Sequence, residues 1–187
     1  MDAFLHASNP GGFRSGLIQF SADARLVLKL NDPESIFNST IDSMDRIAST
    51  TRIDVALRLA QNEMFTAANG DRAFIPNVLF LFIDGSQTKA AGWEDPNMVT
   101  DEIRASGIDI IVIGIGNEIS EFELQRLAGG DLTKVYTAKT FDEFTTTQFV
   151  RGLVNASCLG EFIFRVYLIF EEGNQNEHKD IFFLLSN

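Results

Sequence analysis

Two apolar runs, NVLFLFI (77–83) and IDIIVIGIG (108–116), restrict the folds open to this chain more than any other feature. Neither alternates polar with apolar residues, which is the mark of a strand covered on both faces. Between them Asp95-Pro96 supplies an N-cap and a first-turn proline, and Gly107 marks a stop, so a helix joins the two strands. Strand, helix and buried strand in that order require a parallel pair with helices packed against the sheet.

The remaining segments extend the same alternation. SGLIQFS (15–21) and ARLVLKL (24–30) are β-rich runs so close together that they can pair only as an antiparallel hairpin. Asp32-Pro33 predicts a helix start, and Ile36, Phe37, Ile41, Met44 and Ile47 carry helical spacing to about residue 48. A second helix opens near Thr51, buries Ile53, Leu57, Ala60 and Met64, and ends at Asn69-Gly70. Ser120 caps a helix to about Leu127, KVYTA (134–138) is a short strand, and a last helix covers about 141–155. The expected fold class is α/β: a three-layer, doubly wound, mostly parallel sheet with one antiparallel edge hairpin. Past Cys158 the pattern changes to FIFRVYLIF (162–170), a polar stretch, and IFFLLSN (181–187), with no helix between.

Composition narrows the partners. A net charge of −11 argues against a nucleic-acid backbone, which needs clustered Lys and Arg. No segment reaches the roughly 18 apolar residues of a membrane helix, so no membrane insertion is expected. The first residues, MDAFLHASNPGG, have neither the basic nor the apolar region of a signal peptide. The single cysteine, Cys158, has no partner for an internal disulfide, which leans toward a cytosolic chain or a fragment.

In open parallel sheets ligands gather at the carboxyl ends of strands, where the 77–83 run ends in Asp84. An aspartyl-nucleophile phosphatase would want a second acid two residues on, where Ser86 stands. A serine hydrolase needs a base, yet the only histidines are His6 and His178, in the terminal segments. Gly114-Ile115-Gly116 lacks the third glycine and the lysine of a phosphate-cradling loop. A hard divalent cation suits better, because Mg²⁺ takes oxygen ligands, keeps waters and needs only one or two carboxylates with hydroxyls. Asp84 and Thr51 offer those two donor types. Two plainer roles stay open: Asp84 closing a loop, and Thr51 capping its helix with Asp54 at the third position.

Taken in order, GLIQFSADARLVLKLND, TTRIDVALRLAQ, VLFLFIDGSQT, DEIRASGIDIIVIGIGN and VYTAKTFDEF resemble successive blocks of a von Willebrand factor type A domain. The resemblance runs from about residue 13 to Cys158 and is closest to the copies in matrilins and type VI collagen. It implies a doubly wound sheet with a metal-ion-dependent adhesion site at the strand carboxyl ends. In that site an Asp-x-Ser-x-Ser loop, a Thr before a helix and an Asp after a later strand hold Mg²⁺, with Mn²⁺ or Ca²⁺ as alternatives. A partner carboxylate then fills the open position. Thr51 matches the family's Thr and Asp84 its later Asp. The chain starts within what would be the first helix, so the first strand and its Asp-x-Ser-x-Ser loop are not in it, and the expected metal site is incomplete.

The division expected is therefore 1–158, an A domain truncated at its N-terminus, and 159–187, a C-terminal extension. Residues 180–185 resemble the family's first strand. They are either the start of a second A domain or a strand that folds back into the vacant central position, which would put Ser186 where the metal Asp is wanted. The resemblance implies a non-enzymatic module, extracellular and secreted, that binds a matrix protein such as collagen, with sister A domains in a longer parent. Sequons at Asn38 and Asn155 fit a secreted parent. In relatives a cysteine at the Cys158 position often pairs with one ahead of the first strand. The alternative is an intracellular A-type scaffold for protein assembly. Metal-assisted hydrolysis or phosphotransfer lacks a second acid, a base and a phosphate loop.

Overall fold

A six-stranded sheet organises the molecule, in the order β2-β1-β6-β3-β4-β5. The computed structural model describes residues 14–45, 50–118, 120–140, 143 and 180–186. Its strands are β1 (Arg14–Phe20), β2 (Ala24–Leu28), β3 (Asn77–Gly85), β4 (Ile108–Glu118), β5 (Val135–Ala138) and β6 (Asp180–Ser186). The helices are α1 (Phe37–Asp42), α2 (Ile53–Leu59), α3 (Pro96–Ala105) and α4 (Glu121–Leu127).

The unbroken apolar runs are explained by the layers. On β3, Leu79, Leu81 and Ile83 join a core with Ile53, Leu57 and Met64 after the start of α2, Val99 and Ile103 of α3, and Leu124 and Leu127 of α4. The intervening Val78, Phe80 and Phe82 join a second core with Leu17, Ile111, Ile113 and Ile41 of α1. Both faces of β3 and β4 are covered, so neither strand has a polar side to show. The α/β class follows directly.

Pairing along the sheet is mixed. The hairpin β1–β2 is antiparallel, as its short connection requires, while β3–β4 and β4–β5 are parallel. Strand β6 lies between β1 and β3 and is antiparallel to both. Four strands therefore run one way, with β2 and β6 reversed. The reversal corrects the expectation for Ser186. It pairs with Arg14 and Asn77 at the amino ends of β1 and β3, away from Asp84. Asp180, at the other end of β6, is the residue whose backbone pairs with Phe20 at the carboxyl end of β1.

Local signals were read well where capping is strong. Asp95 accepts from the Asn97 amide at 3.0 Å ahead of Pro96. Ser120 and Glu123 form a reciprocal capping box at the start of α4. The first helix differs from expectation. Asp32 accepts from the Lys29 amide at 2.8 Å and closes a turn rather than capping a helix. Helix α1 stops at Asp42, and Ser39 and Ser43 turn their hydroxyls back onto the carbonyls of Ile36 and Thr40. Apart from residue 143, the expected helix over 141–155 lies outside the described residues, as do the 162–170 segment, Asn155 and Cys158.

After α2 the chain widens into one turn of i→i+5 bonding, with Phe65 N–H on Ala60 O at 3.2 Å, before it reaches Gly70. Gly70 has φ +98°, and a Cβ there would stand 2.5 Å from the Asn31 amide nitrogen. The clash is with backbone, which cannot rotate away. Gly70→Ala is therefore expected to lower stability by about 2 kcal/mol, measured by urea unfolding; a parent-like midpoint would refute this.

Candidate functional site

The carboxyl ends of β1, β3 and β4 face a set of loops that hold one another by named bonds. Asp84 is the last residue but one of β3, and it is buried at 9% exposure. It sits at a break in the β3–β4 ladder, where Ile83 pairs with Gly114 but Gly85 pairs with Glu118. The extra β4 residues are taken up around Gly116, whose φ of +88° suits a bulge. Thr51, 7% exposed, lies in the loop ahead of α2.

Thr51 does not cap α2. The N-cap is Arg52, and its side chain accepts no bond from the helix's first amides. The Thr51 backbone is instead bonded on both sides to Thr88, four residues beyond Asp84. Its N–H donates to Thr88 Oγ1 at 3.1 Å, and its carbonyl accepts from Thr88 N–H at 2.7 Å. On the other flank Arg52 N–H donates to Ser21 O at 2.9 Å, and Ser21 Oγ donates to Thr50 O at 3.0 Å. Thr51 is thereby tied to the residue just past β1 and to the loop that follows Asp84.

Beneath Thr51 lies a buried charge that sequence reading treated only as a capping partner. Asp54, 2% exposed, accepts from Arg52 Nε and Nη2, both at 2.8 Å, from Gln87 Nε2 at 2.7 Å and from Glu94 N–H at 3.0 Å. Burial pushes its pKa up, but the bonds from Arg52, the Glu94 amide and Gln87 outweigh this and hold it at about 2. The only signal in the sequence was an acid two residues from an arginine in a helix's first turn. Its long-range partners, Gln87 and Glu94, were not legible.

The loop after β3 also presents apolar surface. Trp93 is 37% exposed with Lys89 Nζ 5.0 Å from its ring centroid, and Met98 and Phe122 are exposed in the first turns of α3 and α4. Ser86 Oγ donates to Glu123 Oε2 at 3.1 Å, which links this loop to α4. Burial works against the Glu123 carboxylate, yet bonds from Ser120 and Ser86 keep its pKa below the usual range.

A doubly wound sheet with a Thr and an Asp at its carboxyl ends is a common frame, and the sequence comparison decides among its families. The model of the von Willebrand factor type A domain matches residues 2–150. The chain belongs to that family. Among solved structures, proximal thread matrix protein 1 from the mussel byssus is similar in two crystal forms. One has a TM-score of 0.68 at 24% identity over 76% of this chain, the other 0.72 at 25% over 82%. The same protein with a zinc-occupied MIDAS motif gives 0.74 at 23% identity. The A domain described here spans only 36–39% of those chains.

The donor set is compatible with a hard cation. Among the described residues no group of three or more His, Cys, Asp or Glu is gathered, so the donors at hand are the Asp84 carboxylate and the Thr51 hydroxyl rather than a cage of acids. That is the donor type of a hydrated Mg²⁺ or Mn²⁺ site, which needs few protein oxygens, and not of a soft-metal cage.

Proposed function

We propose that this A domain is a non-enzymatic adhesion module of the extracellular matrix that binds a matrix protein of collagen type through the carboxyl-end face of its sheet. The observation that carries the reading is the pair of hydrogen bonds between Thr51 and Thr88, which joins the family's Thr to the loop following the family's Asp. Asp84 and Thr51 would hold a Mg²⁺ or Mn²⁺ ion, and the ion would supply a positive charge for a partner carboxylate. Asp84 would contribute the anionic oxygen and Thr51 a neutral one, so the pair would leave about half of the divalent ion's charge for the partner. Exposed Trp93 of the loop after β3, with Met98 and Phe122 in the first turns of α3 and α4, offers apolar side chains of the kind that anchor a partner. The closer kinship with matrilins and type VI collagen, the secreted location and the division into 1–158 and 159–187 belong to the same proposal. So does glycosylation at Asn38, which lies in α1, and at Asn155.

Two measurements test it. In calorimetric titration, Mn²⁺ is expected to bind the parent saturably, to be lost in Asp84→Ala and to weaken at least tenfold in Thr51→Ala. On immobilised fibrillar collagen, capture is expected in Mn²⁺ and not in EDTA. Capture that is equal in EDTA and in Asp84→Ala would refute the cation-bridged mechanism.

A further inference from the structure

We infer that Gln87 and Thr88 form a clamp that fixes Thr51 relative to Asp84, making both of them positioning residues for the cation site; this rests on the reading above. Both ends of the Gln87 amide are engaged. Its Oε1 accepts from Asp54 N–H at 3.1 Å, and its Nε2 donates to Asp54 Oδ1 at 2.7 Å and to Thr88 O at 2.9 Å. Helix α2, which has no side-chain cap of its own, thus has a first-turn amide satisfied from across the site by the loop after β3. Thr88 adds the paired bonds to Thr51, and Glu94 N–H returns the same loop to Asp54. Segments 50–54 and 87–94 are therefore stitched at 51 and at 54.

The arrangement links the segment that carries the family's Thr to the loop that follows the family's Asp. Loops open at low free energy unless their polar groups are bonded, and a ligand loop that moves cannot hold a small ion at fixed oxygens. Here Thr51 extends from backbone held by Thr88 on one side and, through its neighbours Thr50 and Arg52, by Ser21 on the other. Asp84 lies in β3 between Ile83 and Gly85, both paired to β4, and four residues before Thr88. Shifting the 86–94 loop would carry Thr51 with it.

The test uses Thr88→Val, which keeps the shape but removes the acceptor for Thr51 N–H, Thr88→Ser, which retains it, and Gln87→Leu. Amide hydrogen exchange reads the clamp directly. Thr88→Val is expected to speed exchange at Thr51, and Gln87→Leu at Asp54, each at least tenfold, with the β3 and β4 amides unchanged. Mn²⁺ titration reads the consequence. Thr88→Val and Gln87→Leu are expected to weaken binding about tenfold or more, and Thr88→Ser to stay within about threefold of the parent. Wild-type affinity in folded Thr88→Val, or exchange that rises equally throughout the sheet, would overturn the inference. A parent that binds no Mn²⁺ would remove the cation reading itself and with it any role for the clamp in affinity. Unaltered exchange at Thr51 would remove the clamp alone.

Discussion

Asp54→Ala is expected to destabilise the domain by about 3 kcal/mol, which makes Asp54 the costliest single side chain of the loop region. The residue is buried, and its carboxylate is shared by the Arg52 guanidinium, the Gln87 amide and the Glu94 N–H. Truncation strands all three donors at once. Arg52 suffers most, because its side chain is only 13% exposed and loses its ion-pair partner. Breaking a buried pair from one side typically costs about 3–5 kcal/mol, and the partial access of Arg52 to water places this case at the lower end. The acid limb of stability follows from the same group. The folded pKa of about 2 lies below the ordinary aspartate value of 3.8, so ionisation favours the folded state over the unfolded one. That contribution is fully present above about pH 4 and is lost as pH falls through about 2; it amounts to roughly 2 kcal/mol. Asp54→Asn keeps most of the shape and is expected to flatten the stability profile between pH 4 and 2. Urea midpoints measured across that window decide the matter, and an unchanged slope would sink the assignment.

The contrast between Asp54 and its surroundings shows what a single sequence discloses. Strand β3 was legible because burial on two faces leaves a compositional trace, and the structure divides that run into Leu79, Leu81, Ile83 on one side and Val78, Phe80, Phe82 on the other. The starts of α3 and α4 were legible because capping is local: Asp95 and Ser120 bond to amides two or three residues away. Asp32 misled for the same reason, since an Asp-Pro pair starts a turn as readily as a helix. Thr51 and Asp84 were singled out by strand-end chemistry and by resemblance. Gln87 and Thr88 were not, because their meaning lies in bonds spanning more than thirty residues, for which the sequence has no period or spacing.

Strand direction was illegible for a different reason. A short apolar strand of the type Asp180–Ser186 pairs in either sense, and only the register to its neighbours distinguishes them. In the fold, β6 meets seven residues of β1 and six of β3, antiparallel to each. Reversal sends Ser186 to the amino ends of those strands and brings Asp180 to their carboxyl ends. The backbone bonds of β6 are thus what joins the β2–β1 hairpin to the β3–β4–β5 sheet.

Phe183→Pro is accordingly expected to be the most disruptive single substitution in the sheet. Phe183 pairs with Leu17 on one side and Phe80 on the other, midway along both ladders. Proline has no N–H to give, and its ring displaces the strand it faces, so it is not tolerated in a strand with neighbours on both sides. Loss of β6 would leave β1 and β3 as two open edges of buried, apolar strands, Leu17 and Ile18 on one and Leu79 to Phe82 on the other. With each net ladder bond contributing about 1 kcal/mol, and several released together, the cost is on the order of 4 kcal/mol. Against a total stability of about 5–15 kcal/mol for a domain, that moves the protein close to its unfolding threshold. Circular dichroism melts will show it as a large fall in midpoint, accompanied by concentration-dependent aggregation through the exposed edges. Asp180→Pro is the control, because the first residue of a strand accepts proline, and it will melt within a few degrees of the parent. If Phe183→Pro melts like Asp180→Pro, the slot between β1 and β3 is not held by this strand, and the two halves of the sheet must be joined another way.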